Sequence, residues 1–168
     1  MAARFAIKSA WAAIVTLVTF AGTAGAQAQV QSAPAAADAV AIRKTLSSYE
    51  TALNASDTAA VMPLYTDDGV FMAPHNQSAV GRAAVRQAYD AVFKAITLHV
   101  KFNVGEIVEM SPEWAFARTN SAGTNTVNAT GAKSAEAHQE LFIFRKGLDG
   151  AWKIARYSFS TTNPAPKE

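Results

Sequence analysis

The chain has 168 residues, no cysteine, and 15 lysines and arginines against 13 acidic residues. Without thiols it has neither a disulfide framework nor thiolate nucleophiles or metal ligands. It also lacks any basic run of the kind that tracks phosphates, which excludes nucleic acid as an expected partner.

Arg4 and Lys8 precede an apolar stretch from Ala10 to Phe20, small residues follow, and the next ionisable side chain is Asp38. This is the three-part pattern of a cleavable signal peptide. The apolar stretch is interrupted by Thr16 and Thr19 and falls short of the ~20 residues of a spanning helix. Cleavage after Ala26 or Ala28 is therefore expected, with an uncleaved anchor as the alternative. The expected organisation is a signal peptide over 1–28, a flexible leader over 29–37, one domain over 38–162 and a tail over 163–168. That places the domain in a bacterial periplasm or outside the cell, free of the membrane. The removed segment carries two of the basic residues, leaving 13 basic against 13 acidic, so the exported domain is neutral.

From Asp38, read as an N-cap, Ile42, Leu46, Tyr49 and Leu53 recur at helical spacing and predict a first helix ending near Asn54. Ser56 or Asp57 caps a short second helix restricted by Pro63, with Val61 and Leu64 facing inward. Tyr65 to Gly69 reads as a turn, Val70 to Met72 as a short strand, and Pro74 to Gln77 as a polar loop. Gly81 opens a third helix with Val85, Tyr89, Val92 and Ile96 on its apolar face. The period then changes to two. Four strands are expected, over Leu98 to Met110, Glu113 to Val127, Ala135 to Lys146 and Trp152 to Thr161. Helices followed by an antiparallel meander make an α+β fold with the helices on one face of the sheet.

This pattern resembles the cone-shaped fold of nuclear transport factor 2 and its SnoaL-like relatives. The resemblance rests on the first helix stripe, on Leu64-Tyr65-Thr66-Asp67-Asp68-Gly69-Val70-Phe71, on Gly81-Arg82-Ala83-Ala84-Val85, and on Asp149-Gly150-Ala151-Trp152-Lys153-Ile154. Within the NTF2-like superfamily, Glu140-Leu141-Phe142-Ile143-Phe144 and Trp152 to Tyr157 are most similar to the SgcJ/EcaC-type subgroup. The resemblance implies a curved sheet around a long helix, a pocket at the open end of the cone, and a homodimer across the outer sheet face. It implies no single activity. Ketosteroid isomerases, polyketide cyclases, epoxide hydrolases and scytalone dehydratases share the fold with non-catalytic members, so function must be argued from the site.

Enzymes of this fold place a carboxylate, histidine or tyrosine in an apolar cone, where desolvation raises a carboxylate toward the range useful for acid–base work. If the turns centre on Pro112 and near Thr130, Glu106 faces Arg118, Asn120 faces Glu140, and Arg118 faces Phe142. Glu106, Arg118, Asn120, His138 and Glu140 then share one face with Val104, Phe116 and Phe142; a slip of one residue would reverse a strand. Two readings are open: a pocket patch with Glu140 as base and Arg118 as anion clamp, or an ion-pair network across the sheet. Asp67 and Asp68 are further catalytic candidates at the pocket mouth, although paired aspartates before glycine are also ordinary turn chemistry. His75 either lines the entrance or is a solvated loop residue. By resemblance, Tyr49, Tyr65, Phe71, Tyr89 and Phe93 line the cone, with Arg118, Asn120 and His138 as further binding residues.

No histidine pair has ligand spacing, so no metal is expected. No GxSxG, P-loop or GxGxxG segment is present, which argues against a nucleophile-elbow hydrolase, P-loop nucleotide binding and a Rossmann dinucleotide site, and no cofactor is expected. Three functional readings stay open: a cofactor-independent isomerase, dehydratase or cyclase acting on a small, largely apolar molecule; a module that binds such a molecule without turnover; and a homodimeric structural domain.

Overall fold

The structure is a computed structural model that describes residues 33–163. The expected signal peptide, the first part of the leader and residues 164–168 lie outside them. Helix α1 spans Ala33–Asn54, α2 spans Thr58–Val61, and a 3-10 turn follows at Met62–Leu64. Strand β1 is Tyr65–Met72, β2 is Ala79–Val80, α3 is Arg82–Ala95, and β3 to β6 are Ile96–Ser111, Trp114–Val127, Lys133–Lys146 and Trp152–Thr161. The six strands form one sheet in the order β2-β1-β6-β5-β4-β3. All neighbours are antiparallel except β1 and β6, which run parallel. The sheet is curved and open, and α1 and α3 pack on its concave face.

The spacing of four, three and four residues in α1 does what an amphipathic stripe should: Ile42, Leu46, Tyr49 and Leu53 are all buried. The helix begins earlier than the expected Asp38, so that residue is no N-cap. Its carboxylate instead accepts bonds from Lys146 Nζ and Trp152 Nε1, each at 2.9 Å, which fix α1 to the ends of β5 and β6. Asp57 does cap α2, accepting from the Ala60 amide at 2.9 Å.

Tyr65 to Gly69 is not a free turn but the first part of β1. Tyr65 pairs with Ile154 and Val70 with Arg156, so β1 carries three more residues than the matching stretch of β6. The excess bulges outward and carries Asp67 and Asp68 to the surface.

Along β4, Ala115, Ala117, Thr119 and Ser121 are buried, and along β5 Glu140, Phe142 and Phe144 are buried, as period two requires of a half-covered sheet. In β6 the register shift opposite Ile143 and Phe144 adds one residue, so Ile154 and Tyr157 both reach the core. Phe142 stacks on Tyr157 with centroids 4.2 Å apart and meets Tyr49 edge-on at 5.5 Å. Burial of each ring of this kind stabilises the fold by about 1.5–3 kcal/mol.

Gly123 lies on β4 where the backbone of β3 leaves no room for a side chain. A Cβ there would lie 1.9 Å from the His99 carbonyl oxygen.

Candidate functional site

Between α1, α3 and the concave sheet face lies a cavity of about 380 Å³, opening at the loop that carries Pro74, His75 and Asn76. That volume is at the small end of the range for small-molecule sites. Most of its wall is apolar, built from Leu53 of α1, Val92 of α3, Phe71 of β1, Val100 and Phe102 of β3, and Phe159 of β6. Besides His75 and Asn76 at the mouth and Thr161 of β6, two polar groups interrupt this lining, one on β4 and β5 and one centred on the helices.

The sheet group comes from β4 and β5, where Ser121 stands directly opposite His138. His138 Nε2 lies 3.0 Å from Glu136 Oε2, and both side chains are largely buried, at 16% and 17% exposure. Alternation along β5 puts residues two apart on one face, which is why Glu136 and His138 reach the same wall. Asn125 Nδ2 donates to the other Glu136 oxygen. With the carboxylate accepting from Nε2–H, a neutral imidazole keeps Nδ1 as its acceptor, and the histidine edge packs on Phe159 at 5.0 Å.

One step further along β5, Glu140 is 3% exposed. Its Oε2 accepts from Thr119 Oγ1 and its Oε1 from Ser121 Oγ, each at 2.5 Å. Burial raises the Glu140 carboxyl above its ordinary value, opposed by the bonds from Ser121 and Thr119 and by the nearby His138. Glu140 is absent from the cavity wall itself; Ser121, which it holds, is part of that wall.

The helix group is a chain of phenols. Tyr65 Oη and Tyr89 Oη are 2.8 Å apart, and Tyr89 Oη and Tyr49 Oη are 2.6 Å apart. Three hydroxyls joined by two bonds leave one proton unspent. Tyr49, Tyr89 and Tyr157 line the cavity and Tyr65 does not, and either oxygen of each bonded pair can be the donor. Desolvation holds all three phenols above their ordinary value, so they are neutral donors at physiological pH.

Of the expected site residues, the structure brings Tyr49, Phe71, His75, Tyr89 and His138 to the cavity. His75 does so from an exposed lip in the left-handed region, at φ 60°. Tyr65 reaches it only through its hydroxyl bond, and Phe93 packs on Tyr89 with centroids 5.7 Å apart without entering the lining.

The expected shared face does not form. Glu106 stands opposite Arg118 as the register predicted, but Asn120 pairs with Gln139 and Arg118 with Leu141, one residue away from the expected partners. The cause is the β4–β5 loop. Asn128 to Gly131 make a four-residue connection, closed by the Gly131 amide on the Val127 carbonyl with Gly131 at φ 71°, so the strands pair about a point between Ala129 and Thr130. Arg118 and Asn120 thus lie on the outer face, where the Arg118 Nε bond to Glu106 is a solvent-exposed pair at 2.8 Å. Arg118 is no clamp for a ligand in the cavity, and Asn120 does not line it.

Asp67 and Asp68 are also away from the cavity. Asp67 is 92% exposed at the side chain and pairs with Arg82 at 3.3 Å, whereas Asp68 takes a bidentate bond from Arg145 at 2.6 and 3.0 Å. Neither has a path to a ligand in the cone.

Glu136, Ser121 and Thr119 are the residues sequence reasoning missed. Glu136 had a signal, since it precedes His138 by two on the same strand, and the two hydroxyl residues were hidden by the one-residue slip. Among the described residues, no cluster of three or more histidine, aspartate or glutamate side chains is placed to hold a metal, and no helix is long and apolar enough to cross a membrane.

A sequence profile of the SnoaL-like domain matches residues 46–157. Among solved structures, a ketosteroid isomerase-like protein from Erwinia carotovora atroseptica is 39% identical, with 74% of this chain and 96% of that one covered and a TM-score of 0.72. A protein assigned as a scytalone dehydratase from Novosphingobium aromaticivorans shares the fold at 19% identity, over 77% of this chain and 87% of that one, with a TM-score of 0.67. A type 2 hexachlorocyclohexane dehydrochlorinase does so at 12% identity, over 80% and 92%, with a TM-score of 0.69. No curated protein sequence matches the chain.

Proposed function

The chain belongs to the SnoaL-like domain family, within the NTF2-like fold, and from that premise we propose that it is a cofactor-independent acid–base enzyme acting on a small, largely apolar carbonyl compound. The observation that carries this reading is the His138–Glu136 pair on the wall of an otherwise apolar cavity. Glu136 orients the ring and leaves Nδ1 to take a proton from the carbon beside the carbonyl. The C–H electron pair then moves into an enolate, whose oxygen accepts a hydrogen bond from Tyr49 Oη–H when the phenol chain runs from Tyr65 through Tyr89. Return of the proton at a different carbon is an isomerisation, and loss of a β-leaving group with the same electron pair is an elimination. The dehydratase and dehydrochlorinase names among the structural neighbours are compatible with the second outcome. This assigns the base to His138 in place of Glu140, whose carboxylate is occupied by hydroxyls.

On this reading the chain is an exported protein of the SgcJ/EcaC-type subgroup, cleaved after Ala26 or Ala28, and works as a homodimer on a small ligand with no redox cofactor. The test of the chemistry is deuterium wash-in to the methyl group of acetophenone in heavy water, read by mass spectrometry. Wild type is expected to accelerate exchange, and His138→Asn to reduce the rate by about 10²–10⁴-fold, the usual worth of a general base. Binding of acetophenone with no exchange above background would sink the enzyme reading in favour of a binding module.

A further inference from the structure

The polar groups of the cavity differ in sign as hydrogen-bonding partners. The helix side offers neutral phenols, and because the Tyr65–Tyr89–Tyr49 chain has one proton more than it has bonds, a chain running from Tyr65 to Tyr49 presents a donor to the cavity. The sheet side is a cluster of acceptors. Ser121 is the informative member, since a serine hydroxyl is ordinarily both donor and acceptor. Here its single proton is held by Glu140 Oε1 at 2.5 Å, and Thr119 occupies the other carboxylate oxygen. What Ser121 Oγ turns to the cavity is therefore lone pairs. Its neighbour across the ladder, His138, presents an acceptor for the same kind of reason, its Nε2 being engaged by Glu136. A buried acceptor left unpartnered by a ligand costs free energy, so a wall of this sign selects as well as binds.

We propose that Ser121 is a specificity-determining residue, and that the site takes a small hydroxy-carbonyl compound whose carbonyl oxygen meets the tyrosine chain and whose hydroxyl donates to Ser121 Oγ. The proposal rests on the carbonyl reading of the cavity and narrows it from apolar carbonyl compounds in general to those that carry a second, donating group. Glu140 acts here as a positioning residue, fixing the direction of the Ser121 proton. The groups that face it are Thr119, Ser121, His138 and Tyr157, and the Thr119 and Ser121 hydroxyls donate to its oxygens.

The experiment compares the binding of meta-hydroxyacetophenone, its methyl ether and acetophenone by NMR titration of the full exported chain. Methylation removes the donor and keeps the oxygen. Wild type should bind the hydroxy compound about tenfold more tightly than the methyl ether, the worth of one hydrogen bond. Ser121→Ala should abolish that preference while still binding acetophenone, and Ser121→Thr, which keeps a hydroxyl beside Glu140, should restore it. Equal wild-type affinity for the hydroxy and methoxy probes, or a preference that survives Ser121→Ala, would overturn the role of Ser121 and leave the acid–base reading standing. Failure of wild type to bind any of the three would overturn both. Because the readout is binding alone, neither result depends on turnover.

Discussion

Glu140 is a carboxylate with two hydroxyl donors and almost no access to water, and that imbalance sets its titration. Burial favours the neutral form more than the bonds from Ser121 and Thr119 favour the charged one, so its pKa is raised in the folded protein. A raised acid binds its proton more tightly when folded. Its contribution to stability is therefore full below the ordinary carboxylate range and is lost as pH rises through the folded value. Each tenfold difference in proton affinity between the folded and unfolded chain is worth about 1.4 kcal/mol. Glutamine has no proton to lose. Thermal unfolding of Glu140→Gln and wild type across the acid-to-neutral range should show the variant gaining on wild type as pH rises; a constant gap would mean that Glu140 titrates as a free carboxylate. Sequence reasoning left open whether this acid faced a pocket or an ion-pair network, and set it opposite Asn120, whereas its side-chain partners are Thr119 and Ser121. Glu140 was legible as a charged residue on an aromatic strand face, whereas its partners depended on the strand register. Asp67 and Asp68 failed for a different reason: their outward position follows from a bulge set by the partner strand β6, which local turn chemistry does not reveal.

At the level of elements, period decided what could be read. The α1 stripe, the α3 face and the four long strands were legible because each repeats its own spacing over several turns or residue pairs. The short strand β2 was not, because two residues carry no period. The one-residue error between β4 and β5 has a physical source in a loop whose closure depends on a left-handed Gly131, since an insertion or deletion of a single residue there exchanges the faces of β5. The tyrosine chain was half legible. Tyr49 and Tyr89 fell on predicted inward faces, but the meeting of their hydroxyls with Tyr65 is set by the crossing of α1, α3 and β1. The close approach of β3 and β4 at Gly123 gives a test at this scale. Since a Cβ there would clash with backbone atoms of His99 and Val100, Gly123→Ala must displace β3. A loss of about 1–3 kcal/mol in chemical denaturation is expected, as for overpacking elsewhere. An unchanged midpoint would show that the strands separate at no cost.

For the molecule as a whole, the charge and the address are linked. If the first 28 residues are removed on export, the folded domain is neutral and its alkaline character belongs to the targeting segment alone. Intact-mass measurement of the protein recovered from outside the cytoplasm should find a chain beginning at Gln27 or Gln29. A chain beginning at Met1 in the membrane fraction would instead indicate an anchored domain. The α+β architecture itself was readable from the change of period after Ile96, and the cavity follows from it: a curved sheet that covers one long helix leaves its open end unfilled.

The bond from Trp152 to Asp38 has a spectroscopic consequence. A chain cleaved near residue 28 loses Trp11 and keeps two indoles, Trp114 at the start of β4 and Trp152, and neither lines the cavity. Trp152 is buried with its Nε1–H on the carboxylate of α1, so its emission reports whether that helix is docked to the sheet. Indole fluorescence therefore follows unfolding and is silent to an occupant of the cone. The occupant registers in the near-ultraviolet absorption of the phenols, where Tyr49 and Tyr89 form the wall.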